Sequence, residues 1–229
     1  MKKIIAITGV TKGLSYELMH RFIEQGWTVI GSGRSDAKIE ALSKSIGSEH
    51  HFSVLDVSDP KAVSEWVDTA VAKVGVPKIV INNAVIINRN NSLWNIDDAE
   101  FQQVMDINIC GTFFVAKYFL PYLLGVDTLS SVIVNLSSGW GCQGAADVTP
   151  YCASKFAVEG LTQSLAKELP TYISTVTLDP GGINTEMLQS VNPGYAGQAA
   201  APLEWSKQAC KFILSISQKE NGKALRVPL

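Results

Sequence analysis

The sequence predicts an α/β protein built on a doubly wound parallel sheet with helices on both faces. Short apolar runs recur along the chain. Stretches long enough for an amphipathic helix separate them. A glycine-bearing turn joins the first apolar run to the first helical stretch. Parallel strands need long crossovers, and helical crossovers cover both faces of the sheet they connect.

Ile4 to Thr8 is the first strand. A helical pattern follows from about Leu14 to Gln25, with Leu18, Phe22 and Ile23 on one face, and Gly26 stops it. Trp27 to Ile30 is the second strand, leaving through Gly31-Ser32-Gly33-Arg34. Asp36 suits the cap of a helix through about Ile46. His51 to Leu55 is the third strand and ends at Asp56, and Asp59-Pro60 opens a helix through about Val74. Lys78 to Ile81 is the fourth, followed by Asn82-Asn83. The second half predicts helices near 97–110 and 112–124, a strand at 132–136, a helix from Tyr151 to about Glu168 and a strand at 174–178. A segment with Gly and Pro (180–202) leads to a helix near Leu203–Ser217, and Ala224 to Val227 suits a last edge strand. No repeat or linker divides the chain, so residues 1–229 are expected to form a single domain.

Composition narrows the function. Of 229 residues, 46% are hydrophobic and 17% charged, enough for a large core and against disorder. The net charge is −2 and no basic block occurs, which argues against nucleic acid or an anionic membrane as partner. The apolar start Ile4–Ile7 is too short for a signal peptide or a span. Cys110, Cys142, Cys152 and Cys210 lack metal-like spacing, so no metal is expected, and they read as free thiols in a reducing, cytoplasmic setting.

Two stretches carry chemistry. Thr8-Gly9-Val10-Thr11-Lys12-Gly13-Leu14 lies between the first strand and the first helix, where glycines let the backbone approach a pyrophosphate at the helix N-terminus. The G-x-G-x-x-G spacing is absent, since three residues separate Gly9 from Gly13. Tyr151 and Lys155, just after Pro150, are four positions apart and share a helix face. A phenol has a free pKa of about 10, and a nearby ammonium favours the phenolate. Ser138, at the end of the strand 132–136, is placed to hydrogen-bond a carbonyl oxygen beside the Tyr. Alone, the Tyr–Lys pair also suits a partly buried ring and a solvated amine.

Together with N-N-A at 82–84, Asn108, S-S at 137–138 and D-P-G at 179–181, these motifs follow an order that resembles the short-chain dehydrogenase/reductase family from Ile4 to about Glu186. The resemblance implies a Rossmann-type sheet and a Tyr-centred hydride-transfer enzyme. Tyr151 would be the general acid/base, Lys155 would lower its pKa and bind the nicotinamide ribose, and Ser138 would orient the carbonyl. Asn108 would hold a water in a proton relay to Lys155, unless it only satisfies a backbone group inside its helix. Gly9, Thr11, Lys12, Gly13 and Leu14 would surround the pyrophosphate. Asn82, Asn83 and Ala84 would line the adenosine side, and Asp56 and Val57 would hold the adenine. Pro180, Gly181, Ile183 and Thr185 would sit by the nicotinamide and the phosphates. Residues 181–203 would form a substrate lid, and the helices 112–124 and 151–168 would pair copies into a homodimer or homotetramer.

Two positions depart from the family pattern. Ser15 stands where a third glycine is usual, and would crowd the helix–strand contact or the pyrophosphate, or donate to a phosphate. Val85 replaces the glycine of N-N-A-G, and a β-branched residue disfavours positive φ, so that turn must take another shape.

No acid follows the second strand until Asp36. Arg34 and Lys12 offer two cations for a 2′-phosphate, which favours NADP(H) over NAD(H). Trp140, Met187, Leu188 and Tyr195 are candidates for a small, partly aromatic pocket, and Trp94 and Trp205 either approach it or pack helices. The expected activity is NADP(H)-dependent hydride transfer to or from a small ketone, aldehyde or secondary alcohol. The competing expectation, prompted by Ser15 and Val85, is a non-catalytic dinucleotide-binding sensor or scaffold. Larger sugar-nucleotide epimerase relatives fit poorly, because their glycine spacing differs and their C-terminal domain is longer.

Overall fold

The computed structural model describes residues 2–127 and 130–228. Its strands are β1 (Ile4–Thr8), β2 (Thr28–Gly33), β3 (His51–Val54), β4 (Ile79–Asn82), β5 (Ser131–Leu136), β6 (Ile173–Asp179) and β7 (Ala224–Arg226). They form one sheet in the order β3-β2-β1-β4-β5-β6-β7, with every pairing parallel. The connections wind one way from β1 to β3 and the other way from β4 onward. The reversal opens a crevice at the C-terminal ends of β1 and β4, where α/β sheets of this Rossmann type bind ligands.

The helices are α1 (Gly13–Glu24), α2 (Asp36–Ile46), α3 (Pro60–Val74), α4 (Asp98–Met105), α5 (Gly111–Leu124), α6 (Thr149–Leu165), α7 (Glu186–Val191), α8 (Pro193–Ala196) and α9 (Pro202–Ser215). Side chains alternate across a strand, so β1 divides itself between two cores. Ile5 and Ile7 pack with Leu18 and Phe22 of α1 and Trp205 and Ile213 of α9. Ile4 and Ala6 pack with Trp66 and Val67 of α3 and Phe119 and Leu123 of α5.

Several boundaries differ from the sequence expectation. β2 continues through Gly33 because its glycines admit close neighbours: a Cβ on Gly31 would lie 2.6 Å from the Phe52 ring, and one on Gly33 2.6 Å from the Thr11 methyl. Ser35 holds the N-cap position of α2, and Asp36 is instead its first residue, where its charge suits the helix N-terminus. The two helices expected near 97–110 and 112–124 are one continuous rod, Asp98–Leu124, with a π-turn at Asp106–Cys110. Gly111 keeps helical backbone angles within it, and its lack of a side chain admits Val57, which a Cβ there would meet at 2.6 Å. α6 begins at Thr149 and ends at Leu165. Beyond it, Lys167 and Glu168 donate to carbonyls only three residues back. The 180–202 segment holds two short helices, α7 and α8, that its glycines and prolines concealed.

Candidate active site

The end of β5 and the first turns of α6 bring the reactive groups together. Ser138 leaves the strand in extended conformation, and its Oγ accepts from the Trp140 amide at 3.2 Å. That bond caps the short 3-10 turn Gly139–Gly141 and fixes Trp140, whose ring meets Tyr151 edge-on at 6.0 Å and 85°. Pro150 sits in the first turn of α6, and Tyr151 and Lys155 follow one turn apart, 7% and 3% exposed. Ser138 and Tyr151 line the same pocket, and the Ser138 hydroxyl acts to lower the Tyr151 pKa. Lys155 Nζ donates to the Leu136 carbonyl at 2.7 Å and lies 5.5 Å from the Tyr151 ring centre.

The electrostatics reverse one expectation. Burial pushes the Tyr151 pKa up, with the Ser138 hydroxyl acting against it, while Asp179 and Cys152 add to the rise. The nearby lysine does not pull it down, because the ring is buried and desolvation of a phenolate dominates. Tyr151 is therefore a phenol at neutral pH. Burial lowers Lys155 to about 8, against the opposing charge of Glu159.

Asn108 lies in the π-turn and is 2% exposed. Its Oδ1 accepts from the Ile86 amide at 2.9 Å. Its Nδ2 donates to the Ile86 carbonyl and to Ser154 Oγ, each at 2.9 Å. The side chain thus joins the loop after β4 to α6.

The glycine turn has the shape a pyrophosphate needs. Gly9 and Gly13 have φ of 77° and 67°, which favours glycine at both positions. A Cβ on Gly13 would meet nothing within 4 Å, so its outer face is open. Lys12 occupies the N-cap of α1 without a side-chain cap, leaving the helix's first amides available to an anion.

Ser15 neither crowds the turn nor points at a phosphate. Its Oγ donates to the Gly9 carbonyl at 2.5 Å and accepts from Asn83 Nδ2 at 2.7 Å. Val85 keeps an ordinary backbone conformation and packs with Trp140 and Tyr151 in a small apolar cluster.

The remaining candidates divide by position. Asn83 Nδ2 also donates to the Thr8 carbonyl, and the Ala84 amide donates to Thr8 Oγ1, both at 3.0 Å. Asn82 is withdrawn into the sheet, where it donates to Asn135 at 2.8 Å. Val57 is buried against Gly111. Arg34 is exposed beyond β2. Burial opposes ionisation of Asp56, yet two bonds from Ser58 and the charge of Arg34 hold its carboxyl below the usual range. Thr11 packs on Gly33, and Lys12 pairs with Glu186 at 2.7 Å. Gly181 has φ 80° and donates to Asp179 at 2.9 Å, Ile183 is buried and pairs with Ala200, and Thr185 Oγ1 caps α7.

One pocket joins Leu14 and Asn83 to Ser138, Tyr151 and Lys155, and then to Pro180, Gly181, Ile183 and Thr185. Its apolar wall is Trp140, Met187 and Leu188, with Val85, Ile87 and Val191, which the sequence reading missed. Their signal was weak, since an isolated Val or Ile reads as core. Asn108 and the outer nucleotide candidates, Gly9 to Gly13, Arg34, Asp56, Val57 and Ala84, do not line it. Tyr195 packs over Gly182 instead, Trp205 is core, and Trp94 is 83% exposed. A wider hollow between Asp56 and α4 is lined by Asp97, Glu100 and Asp106, apart from the reactive groups.

A family model described as short chain dehydrogenase matches residues 3–196. The chain belongs to that family. An Arabidopsis thaliana NADPH-dependent pterin aldehyde reductase is 41% identical to this short-chain dehydrogenase over 227 residues, 98% of this chain and 93% of the relative. A Brucella melitensis 3-ketoacyl-(acyl-carrier-protein) reductase, solved in complex with NADH, superposes with TM-score 0.90 at 25% identity, covering 98% of this chain and 96% of the other. ElxO with NADP bound gives TM-score 0.85 at 28% identity, covering 99% and 97%. The open Gly13 face and the uncapped start of α1 fit the pyrophosphate of a nicotinamide dinucleotide in this short-chain dehydrogenase.

Proposed function

We propose that this short-chain dehydrogenase reduces small aldehydes or ketones with NADPH, and that Tyr151 is the proton donor. The observation that carries the reading is a buried phenol, kept protonated by its surroundings, sharing one pocket with Ser138 and backed by Lys155. The bound dinucleotide supplies the hydride to the carbonyl carbon. Ser138 orients the carbonyl oxygen, Tyr151 protonates it, and the Lys155 ammonium offsets the charge left on the phenol oxygen. Lys155 also holds the nicotinamide ribose. Asn108 keeps Ile86 and α6 in place through the bonds its side chain makes.

Lys12, Gly13 and Leu14 bind the pyrophosphate, with Gly9 and Thr11 shaping the turn. Arg34 and Lys12 receive a 2′-phosphate, which an exposed guanidinium grips in a fork. Asp56, Val57, Asn83 and Ala84 face the adenosine half. Pro180, Gly181, Ile183 and Thr185 border the nicotinamide, and residues 181–203 act as the lid. The Trp140 face of the pocket and the 41% identity to a pterin aldehyde reductase support a planar aromatic aldehyde as substrate. Phe113 on α5 and Phe156 on α6, 45% and 48% exposed, support pairing of two copies through those helices.

The test is NADPH oxidation with a panel of aromatic aldehydes, pterin aldehydes included, using wild type and Tyr151→Phe. The variant should bind NADPH normally and lose about 100-fold or more in turnover. Undiminished turnover in the variant would remove Tyr151 from the chemistry. Binding without turnover by wild type on the whole panel would favour the sensor reading instead.

A further inference from the structure

Glu159 lies one turn beyond Lys155 on α6, as Lys155 lies one turn beyond Tyr151. It is only partly exposed, and both carboxylate oxygens are engaged. Oε1 accepts from Ser137 Oγ at 2.5 Å, and Oε2 accepts from Thr177 Oγ1 at 2.7 Å. Ser137 is 4% exposed and Thr177 1%. Ser137 directly precedes Ser138, and Thr177 lies two residues before Asp179 at the end of β6. Gly141 rests on the same pair: a Cβ there would lie 2.7 Å from Ser137 Oγ and 3.3 Å from Glu159 Oε1. One carboxylate therefore ties together the ends of two strands, the turn that carries Trp140 and the helix that carries Tyr151 and Lys155.

We propose that Glu159 is a positioning residue of this site: it anchors Ser138 through Ser137 and presents the negative charge that faces Lys155. The inference rests on the reductase reading for its consequence in catalysis, but not for its geometry.

The surroundings leave this task to Glu159. The titratable groups about Lys155 on its own helix are Tyr151 and Glu159. Cys152, on the same helix, and Asp179 of β6 both act on Tyr151. Asp179 lies 3.7 Å from Arg226 of β7. β5 contributes the Leu136 carbonyl, and the residues just after it the hydroxyls of Ser137 and Ser138. A buried ammonium loses its proton readily unless an opposite charge is near. Glu159 is the opposite charge acting on Lys155.

Glu159→Gln removes the charge while its amide group can still hydrogen-bond both hydroxyls. The titration of Lys155, followed by its 13Cε shift in labelled protein, should then move to lower pH by roughly one unit. In the aldehyde assay, the alkaline fall of kcat should move down with it. Glu159→Asp, which keeps a charge set farther back, should give a smaller displacement in the same direction. A Lys155 midpoint equal to that of wild type in Glu159→Gln overturns the proposal. Should that variant not fold, an unmoved midpoint in Glu159→Asp does the same. The shift measurement needs no turnover, so a wild-type protein inactive on every aldehyde would refute the reductase reading while leaving Glu159 to be judged by Lys155 alone.

Discussion

The Lys12 ammonium lies 2.7 Å from the Glu186 carboxylate, joining the phosphate turn to the first residue of α7. The hydrogen bond and charge of Lys12 hold Glu186 below the usual carboxylate range. Both side chains are exposed, so the pair adds little to stability. It does occupy the cation proposed to meet a 2′-phosphate. Glu186→Gln should therefore tighten NADPH by about two- to threefold and leave NADH unchanged, an effect that fades as salt rises. Arg34→Asp should act oppositely and weaken NADPH by about tenfold or more relative to NADH. Fluorescence titrations with both nucleotides at two ionic strengths decide it. Equal changes for NADPH and NADH would remove both cations from 2′-phosphate recognition.

Ser15 braces the turn that carries Gly9. It is 1% exposed and links the Gly9 carbonyl to the Asn83 amide. Ser15→Ala leaves a part-buried carbonyl without that donor, which costs about 1 kcal/mol. Urea unfolding should show this loss. NADPH affinity should fall severalfold, because the turn would have to be ordered on binding. Unchanged unfolding and affinity together would mean that the two bonds are incidental.

His50 makes the fold sensitive to acid. Its Nδ1 accepts from the Val29 amide at 3.0 Å, so that nitrogen carries no proton. Burial lowers its pKa from the ordinary 6.5, outweighing the opposing pull of Glu49. His51 is lowered as well, by burial and by Lys73. Below 6.5 the unfolded chain binds more protons than the folded one. Stability from these histidines is complete above 6.5 and declines as pH falls through the lower folded values. Urea midpoints from pH 7.5 to 5 should fall in wild type and flatten in His50→Asn. An equal slope in the variant would assign the acid sensitivity elsewhere.

Strong periodicity made most of the fold legible before any coordinates. Buried strands such as Ile4–Thr8 and Ser131–Leu136 are nearly all apolar or β-branched, and α1 and α3 have one clear apolar face. The reactive pair was legible because Tyr151 and Lys155 share a helix face. Less visible were features that depend on a distant partner. Gly31 and Gly33 looked like a turn until Phe52 and Thr11 took the space they leave. Ser15 and Val85 looked like defects, since the bonds to Gly9 and Asn83 and the packing on Trp140 come from tertiary structure. The phenol's acidity was misread for the same reason: sequence shows a lysine four residues on, but not the enclosure of the ring.

The π-turn at Asp106–Cys110 bears on how this chain tolerates length change. Such a turn holds one residue more than an α-helical turn. At this chain length, a regular α-helix through 106–110 would rotate everything beyond it by about 100°. Val115, Phe119 and Leu123 would then swing away from the core that they fill. Helical regularity and a buried α5 are therefore incompatible in this sequence. Loss of a single codon within 106–110 would remove the extra residue and leave α5 in phase, whereas loss of one elsewhere in the rod would turn α5 out of the core.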